Sequence, residues 1–143
     1  MKWIATRWGL VSQGSPFDGN DADADIEALS HELAHALDLR LDPGDASDWT
    51  SKQLQETNLS PLRADAHEIR ACAVEVVALR RLNFPITVEP VAAYANHSIR
   101  CVPSNRVEHE IRRRMQRPDV QALADRFVEE VRAAAEWAGK EGT

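Results

Sequence analysis

The sequence predicts a mainly α-helical fold, formed by one domain over residues 1–143. Two observations carry this prediction. Apolar residues recur at helical spacing, three and four residues apart, along most of the chain. Proline, glycine and asparagine then interrupt these segments at the places where helices are expected to end. Only the N-terminal segment is interpreted as a strand, so any α+β character is minor and any sheet is small.

The predicted elements begin with residues 1–11, whose tryptophans and aliphatic side chains are typical of a short strand or hairpin arm. A loop rich in glycine, proline and asparagine follows over residues 12–20. The first helix is predicted over residues 22–39, because aspartates precede an apolar stripe there. It should stop before Pro43 and Gly44.

Two longer helices are predicted in the remainder of the chain, each with a clear apolar stripe. The first covers residues 62–82, and Asn83 and Pro85 are the residues expected to stop it. The second begins at Asp119. Their stripes are Ile69, Cys72, Ala73, Val76 and Leu79 in the first, and Val120, Leu123, Ala124, Phe127, Val131 and Ala134 in the second.

Two shorter helices are predicted between the long ones. Pro90 is expected to open one of them, which continues through His97. Ser104 or Asn105 is expected to cap the other, which ends near Pro118.

Composition excludes several classes of function. The net charge of −6 argues against charge-driven binding of nucleic acid, and acidic residues interleave the arginines of residues 100–117, which favours intrahelical ion pairs. The two cysteines, Cys72 and Cys101, form neither a disulfide scaffold nor a CxxC metal site. No secretory signal or membrane-spanning segment is evident, so a cytoplasmic protein without a membrane partner is expected.

Residues 31–35 read His-Glu-Leu-Ala-His, an HExxH motif inside the first predicted helix. Histidines four residues apart lie on one face of a helix, so His31 and His35 can reach a single metal ion. Glu32 then lies beside the water that such an ion binds, where a carboxylate can act as general base. The motif therefore predicts a zinc site with hydrolytic chemistry.

A catalytic zinc needs a third protein ligand and keeps a further position open for water. Glu68 is our choice, because it lies on the next long helix and the small residue Ala71 would allow that helix to approach closely. Glu75 lies seven residues further along nearly the same stripe and is the main alternative. His67 and Asp38 are the remaining candidates, and Glu75 could instead orient a ligating imidazole.

A calcium site at the start of the first helix is not expected. Asp21, Asp23, Asp25 and Glu32 have the offsets of a calcium-binding loop, but Ile26 stands where that loop requires glycine. The aspartates are better explained as a solvated helix start.

The HExxH motif at residues 31–35, the Glu-Ile-Arg-Ala sequence at 68–71 and the helix ending Leu-Asn-Phe at 82–84 together resemble a gluzincin-type zincin. Among these, the chain is most similar to the metallopeptidase-like domain of ArdC-type antirestriction proteins of plasmids and phages. The Ala-Ala-Tyr sequence at residues 92–94 also resembles those domains. ImmA/IrrE-type peptidases, which cleave repressors, share the same arrangement of motifs. The resemblance covers residues 26–131 and implies a compact zincin-like domain.

Two positions depart from the family pattern. Cys72 stands where an acidic residue often follows the small residue of the glutamate helix. The tryptophan expected shortly after Tyr94 is absent, and residues 97–99 read His-Ser-Ile. A separate single-stranded-DNA-binding domain is also not found in this chain, which argues against an antirestriction role by that route.

The resemblance implies a zinc peptidase that acts on a protein or peptide substrate. His31, His35 and Glu68 would hold Zn²⁺, and Glu32 would take a proton from the attacking water. Tyr94 is the preferred donor to the developing oxyanion, with His97 as an alternative. The rival hypothesis is a non-catalytic, metal-stabilised protein-interaction module of a mobile element.

Overall fold

The computed structural model describes Trp8, residues 22–40 and residues 59–141. Within these ranges the chain forms five helices and no strand. In chain order they are α1 (Ala22–Asp38), α2 (Pro61–Arg81), α3 (Val88–Ala95), α4 (Ser104–Met115) and α5 (Pro118–Glu141). The predicted mainly helical fold is thereby confirmed for the described part of the chain. None of the helices in these ranges is long and apolar enough to cross a membrane.

The predicted N-terminal strand or hairpin arm lies outside the described residues, with the exception of Trp8. The backbone of Trp8 is helical rather than extended, and its side chain is completely buried. It is the largest fully buried side chain in the described part of the chain. Because an indole buries a large apolar area, Trp8 contributes substantially to the core.

Helix α2 is the centre of the fold and contacts each of the other four helices. Residues 71–79 of this helix are all buried. A helix that is apolar around most of its circumference needs neighbours on every side, which is the position that α2 occupies. Glu75 is the one carboxylate within this buried run.

The two ends of α2 are closed by specific hydrogen bonds. Ser60 accepts a hydrogen bond from the backbone N–H three residues later, at 3.3 Å, and so caps the N-terminus. At the other end Asn83 adopts a left-handed conformation with φ of 63°. Its N–H donates to Arg80 O, and the N–H of Phe84 donates to Leu79 O. These two bonds form a Schellman motif, which explains the stop predicted at Asn83.

Helices α1 and α5 bury the stripes that the sequence predicted. In α1, Leu29, Leu33 and Leu37 are buried, and Ile26 packs against the core at its edge. The α5 stripe is likewise inside the fold, with Val120, Ala124, Phe127 and Ala134 buried and Leu123 and Val131 partly buried. Burying each large side chain contributes about 1.5–3 kcal/mol.

Helix α3 begins earlier and ends sooner than predicted. It starts at Val88, so Pro90 lies inside its first turn and not at its first position. Proline is tolerated there because the N–H groups of a first turn have no intrahelical acceptor. The helix ends at Ala95, and His97 therefore lies in the turn that follows.

The predicted cap of α4 is wrong. The helix already includes Ser104 and Asn105, and its N-cap residue is Pro103, which makes no side-chain capping hydrogen bond. Extended backbone at Pro103 (φ of −57°, ψ of 140°) gives the chain its change of direction instead.

The arginines of α4 form ion pairs, as the alternation of charges predicted. Arg112 contacts Glu108 at 2.9 Å, and Arg113 contacts Glu110 at 3.0 Å, both within the helix. Arg112 also reaches Glu89 of α3 at 2.9 Å. Exposed ion pairs of this kind each contribute at most about 1 kcal/mol to the free energy of unfolding, so they stabilise the fold only slightly.

A buried carboxylate joins α2 to the segment between α3 and α4. Asp65 is only 2% exposed and accepts hydrogen bonds from three successive backbone N–H groups, those of Arg100, Cys101 and Val102. The N···O distances are 3.0, 2.7 and 3.1 Å. A charged acceptor with three donors is well satisfied in the interior, so Asp65 fixes this irregular segment against α2. Sequence reasoning did not predict this anchor.

Candidate metal centre

Helices α1 and α2 bring the two halves of the predicted site together. His31 and His35 lie on successive turns of α1, and Glu68 lies on α2, which packs against it. Ala71 is completely buried one turn after Glu68, and its small side chain permits the close approach that the sequence predicted.

Three ligand-type groups converge at the contact between these helices. The Nε2 atom of His31 lies 2.6 Å from Oε1 of Glu68, and Nε2 of His35 lies 2.9 Å from Oε2 of the same carboxylate. The two Nε2 atoms are 3.1 Å apart, with the rings nearly perpendicular. His35 is 4% exposed, His31 11% and Glu68 15%, so the cluster opens to solvent on the side of Glu68 and His31.

The two histidine nitrogens and the two oxygens of Glu68 lie close enough together to share one metal ion. A zinc ion with bonds of about 2.0–2.1 Å to each donor separates neighbouring donors by about 3.3 Å. The observed separations of 2.6, 2.9 and 3.1 Å are all shorter than this value, so the side chains would move apart by about 0.2–0.7 Å to admit an ion. If the Nε2 atoms of both histidines donate to Glu68, no hydrogen bond joins these two nitrogens, although they are 3.1 Å apart. A shared cation at the centre would satisfy all three groups at once.

The second nitrogen of His31 faces acidic groups on α2. Its Nδ1 atom lies 3.4 Å from Oε2 of Glu75 and 4.0 Å from Sγ of Cys72. A carboxylate behind a ligating imidazole orients the ring and raises its basicity. Glu75 is therefore placed to support His31, which was one of the two roles considered for it. The Nδ1 atom of His35, in contrast, is buried without a hydrogen-bond partner among the described residues.

The electrostatics of the cluster favour a cation. Burial alone would lower the pKa of His31, but its contacts with Cys72, Glu68 and Glu75 raise that pKa well above 6.5. Burial alone would raise the pKa of Glu68, but hydrogen bonds from both histidines hold it well below 4.5. Burial raises the pKa of the Cys72 thiol, so Cys72 remains neutral at physiological pH.

The other candidates for third ligand have different partners. Asp38 and His67 pair with each other, with His67 Nδ1 2.7 Å from Asp38 Oδ2. Asp38 also accepts a hydrogen bond from Arg70 at 2.8 Å. Among the described residues, neither Asp38 nor His67 makes a hydrogen bond to His31 or His35, so Glu68 is the carboxylate that meets both histidines.

Cys72 offers a second set of donors. His31, Glu68 and Cys72 each have a ligand atom within 4.8 Å of the others. Cys72 lies on the Nδ1 side of His31, however, whereas His35 lies on the Nε2 side. The two nitrogens of an imidazole point away from each other, so Cys72 and His35 face opposite edges of the ring. The His31–His35–Glu68 set has the shorter separations, and its donors meet at the Nε2 edge of His31.

Glu32 and Tyr94 are the two residues to which the sequence assigned catalytic roles. Glu32 is partly buried on α1, next to His31, and Tyr94 is half-exposed on α3. Partial burial raises the pKa of Tyr94, and the charges of Glu32, Glu68 and Glu75 add to this effect, while His31 opposes it.

His97 lies beside Tyr94 in the turn after α3. The two rings contact edge-to-face, with centroids 6.4 Å apart. His97 is exposed and follows the end of α3 at Ala95, so the predicted continuation of this helix through His97 is wrong, although the two rings still lie side by side.

Comparison with known protein families, with curated proteins and with solved structures found no match for this chain. The assignment of a function to this cluster therefore rests on its own residues and geometry.

Proposed function

We propose that this chain is a zinc-dependent metallopeptidase that hydrolyses peptide bonds in a protein or peptide substrate. The observation that carries the proposal is the convergence of His31, His35 and Glu68, whose donor atoms lie within 3.1 Å of their neighbours. Two histidines and a glutamate form the ligand set of many catalytic zinc sites. A site that only stabilises the fold would have no use for the adjacent Glu32 or for an opening to solvent.

Each residue has a distinct role in this proposal. When bound, zinc would act as a Lewis acid and would lower the pKa of a water ligand to about 7. Glu32 would accept a proton from the attacking water and later donate it to the leaving amine. The raised pKa of Tyr94 keeps its hydroxyl protonated, so Tyr94 could donate a hydrogen bond to the negative oxygen that forms on the substrate carbonyl.

The metal content of the purified protein tests the first part of the proposal. We expect about one zinc per chain in the wild type, and its loss in both His35→Ala and Glu68→Ala. Glu129→Ala, which removes an exposed carboxylate on α5, is the matched control and should retain the zinc. A folded wild type that binds no zinc when the metal is supplied would refute the proposal.

Glu32→Gln tests the catalytic part. This variant should bind zinc as the wild type does, because Glu32 is not a ligand. It should cleave no member of a random peptide library, with cleavage products detected by mass spectrometry. Cleavage by the variant at the wild-type rate would exclude Glu32 as the base. If the wild type binds zinc and neither protein cleaves any peptide or protein substrate, the interaction-module hypothesis is favoured.

A further inference from the structure

A buried polar cluster lies beside the candidate metal centre and takes no part in it. Asp38, the last residue of α1, has a side chain that is only 5% exposed. One of its oxygens accepts a hydrogen bond from His67 Nδ1 at 2.7 Å, and the other accepts one from Arg70 Nη1 at 2.8 Å. Both donors belong to α2, so this one carboxylate makes two directional contacts between the helices.

The position of this cluster relative to the metal centre is specific. Asp38 follows His35 by three residues on α1, about one helical turn further along. His67 and Arg70 flank Glu68 on α2, one residue before it and two residues after it. The cluster therefore joins α1 and α2 within one turn of the contact between His35 and Glu68.

Arg70 extends the cluster to a third helix. Its Nε atom lies 3.6 Å from Oδ2 of Asp119, in the first turn of α5. Helix α1 packs against both α2 and α5. The chain of contacts from Asp38 through Arg70 to Asp119 therefore ties α1 to the two helices that support it.

Apolar packing alone leaves the relative position of two helices loosely defined. Leu33 and Leu37 bury α1 against the core, but hydrophobic contacts are non-directional and tolerate small shifts along or around the helix axis. Two hydrogen bonds to a buried carboxylate have narrow limits of distance and angle. A shift of about 1 Å would break them, and a shift of that size would also separate His35 from Glu68.

We propose that Asp38, His67 and Arg70 are positioning residues that hold α1 in the register at which His31, His35 and Glu68 converge. This inference rests on the proposed metal site. The three residues do not ligate the ion; they set the distance between the two helices that supply its ligands. Groups that hydrogen-bond a metal ligand directly contribute about 10–100-fold to affinity. Because these three residues act through the position of the helices, removing any one of them should weaken metal binding by up to about tenfold.

The test compares the metal affinity of Asp38→Asn, His67→Gln and Arg70→Gln with that of the wild type, by competition of Zn²⁺ with a chelator. Loading each protein with Co²⁺ adds a direct view of ligand geometry, because the visible absorption of Co²⁺ depends on coordination. We expect weaker binding and an altered Co²⁺ spectrum in all three variants, at a temperature where each remains folded. Arg70→Lys, which keeps the charge, should recover part of the affinity.

Asp65→Asn is the matched control. Asp65 is also a buried carboxylate of α2, but it holds the segment of residues 100–102 and not α1. The Asp65→Asn variant should have a lower melting temperature than the wild type, but the same Zn²⁺ affinity and the same Co²⁺ spectrum when folded. Wild-type affinity and spectrum in the three cluster variants would overturn this inference while leaving the metal site intact. Failure of the wild type to bind Zn²⁺ would instead refute the metal site itself.

Discussion

At the proposed site, zinc binding should depend on pH because the ion competes with a proton on His31. The neighbouring acidic groups raise the pKa of His31 well above 6.5, so the metal-free protein keeps this imidazole charged near neutral pH. A metal ion needs the neutral imidazole, and binding must therefore release that proton. Glu68 contributes no proton in this range, because its pKa lies well below 4.5.

The size of the effect follows from this count of protons. With one proton released from His31, the apparent zinc affinity should rise about tenfold per pH unit, or about 1.4 kcal/mol, until the pH exceeds the pKa of that residue. The stability of the metal-free protein should change in the opposite direction. The contribution of His31 to the stability of the folded state is complete below pH 6.5 and is lost as the pH rises through the folded-state pKa of His31. The contribution of Glu68 is complete above pH 4.5 and is lost as the pH falls through the folded-state pKa of Glu68.

Isothermal titration of Zn²⁺ in buffers with different ionisation enthalpies measures the number of protons released. At pH 7 we expect about one proton per zinc from the wild type. Glu75→Gln should release less, because it removes a negative charge 3.4 Å from Nδ1 of His31 and so lowers the pKa of that residue. A zinc affinity that does not change between pH 6.5 and 7.5 would refute this account of the cluster.

Three further predictions concern the fold and are measured by chemical or thermal unfolding. Asp65→Ala should lower the free energy of unfolding by about 3 kcal/mol, because three backbone N–H groups lose a charged acceptor and can only partly replace it with hydrogen bonds to water. A change under 1 kcal/mol would contradict the anchoring role of Asp65. Phe127→Ala should cost about 3–5 kcal/mol, since its ring is completely buried in α5, and a cost near zero would mean that α5 does not pack as described. Asn83→Ala should cost about 1–2 kcal/mol because φ is 63°, whereas Asn83→Gly should cost less; equal costs would exclude backbone conformation as the reason.

Local sequence signals predicted the long helices closely. The expected range of residues 22–39 compares with Ala22–Asp38 for α1, and the range 62–82 compares with Pro61–Arg81 for α2. Both predictions depended on apolar periodicity together with a residue that ends the helix, and Asn83 acts as such a residue in the structure. The short helices were less well predicted because α3 and α4 begin without a side-chain cap.

The candidate metal centre could be predicted from the sequence only in part. The spacing of His31 and His35 is local and gave their shared helix face directly. The choice of Glu68, 33 residues after His35, depended on a pairing of helices that no local pattern specifies. One feature of the sequence indicated that Glu75 has a partner inside the fold. It is a carboxylate within an otherwise apolar helical segment, and a carboxylate in such a segment needs a partner when the segment is buried.

The remaining polar contacts left no comparable signal in the sequence. Asp65 bonds to backbone groups about 35 residues away, and Asp38 pairs with residues about 30 positions away. Such contacts appear only after the helices have been packed together, because they depend on distance in space and not on periodicity.

The partners of the buried carboxylates explain why Glu68 is the one suited to a metal. Asp65 is held by three backbone N–H groups, and Asp38 is held by His67 and Arg70, so a metal ion at either would have to break contacts that support the fold. Glu68 meets only the two histidines among the described residues, and all three groups are metal ligands. An ion at this place would replace only the contacts between Glu68 and the two histidines. The proposed metal would therefore not compete with the contacts that hold the helices of the site together.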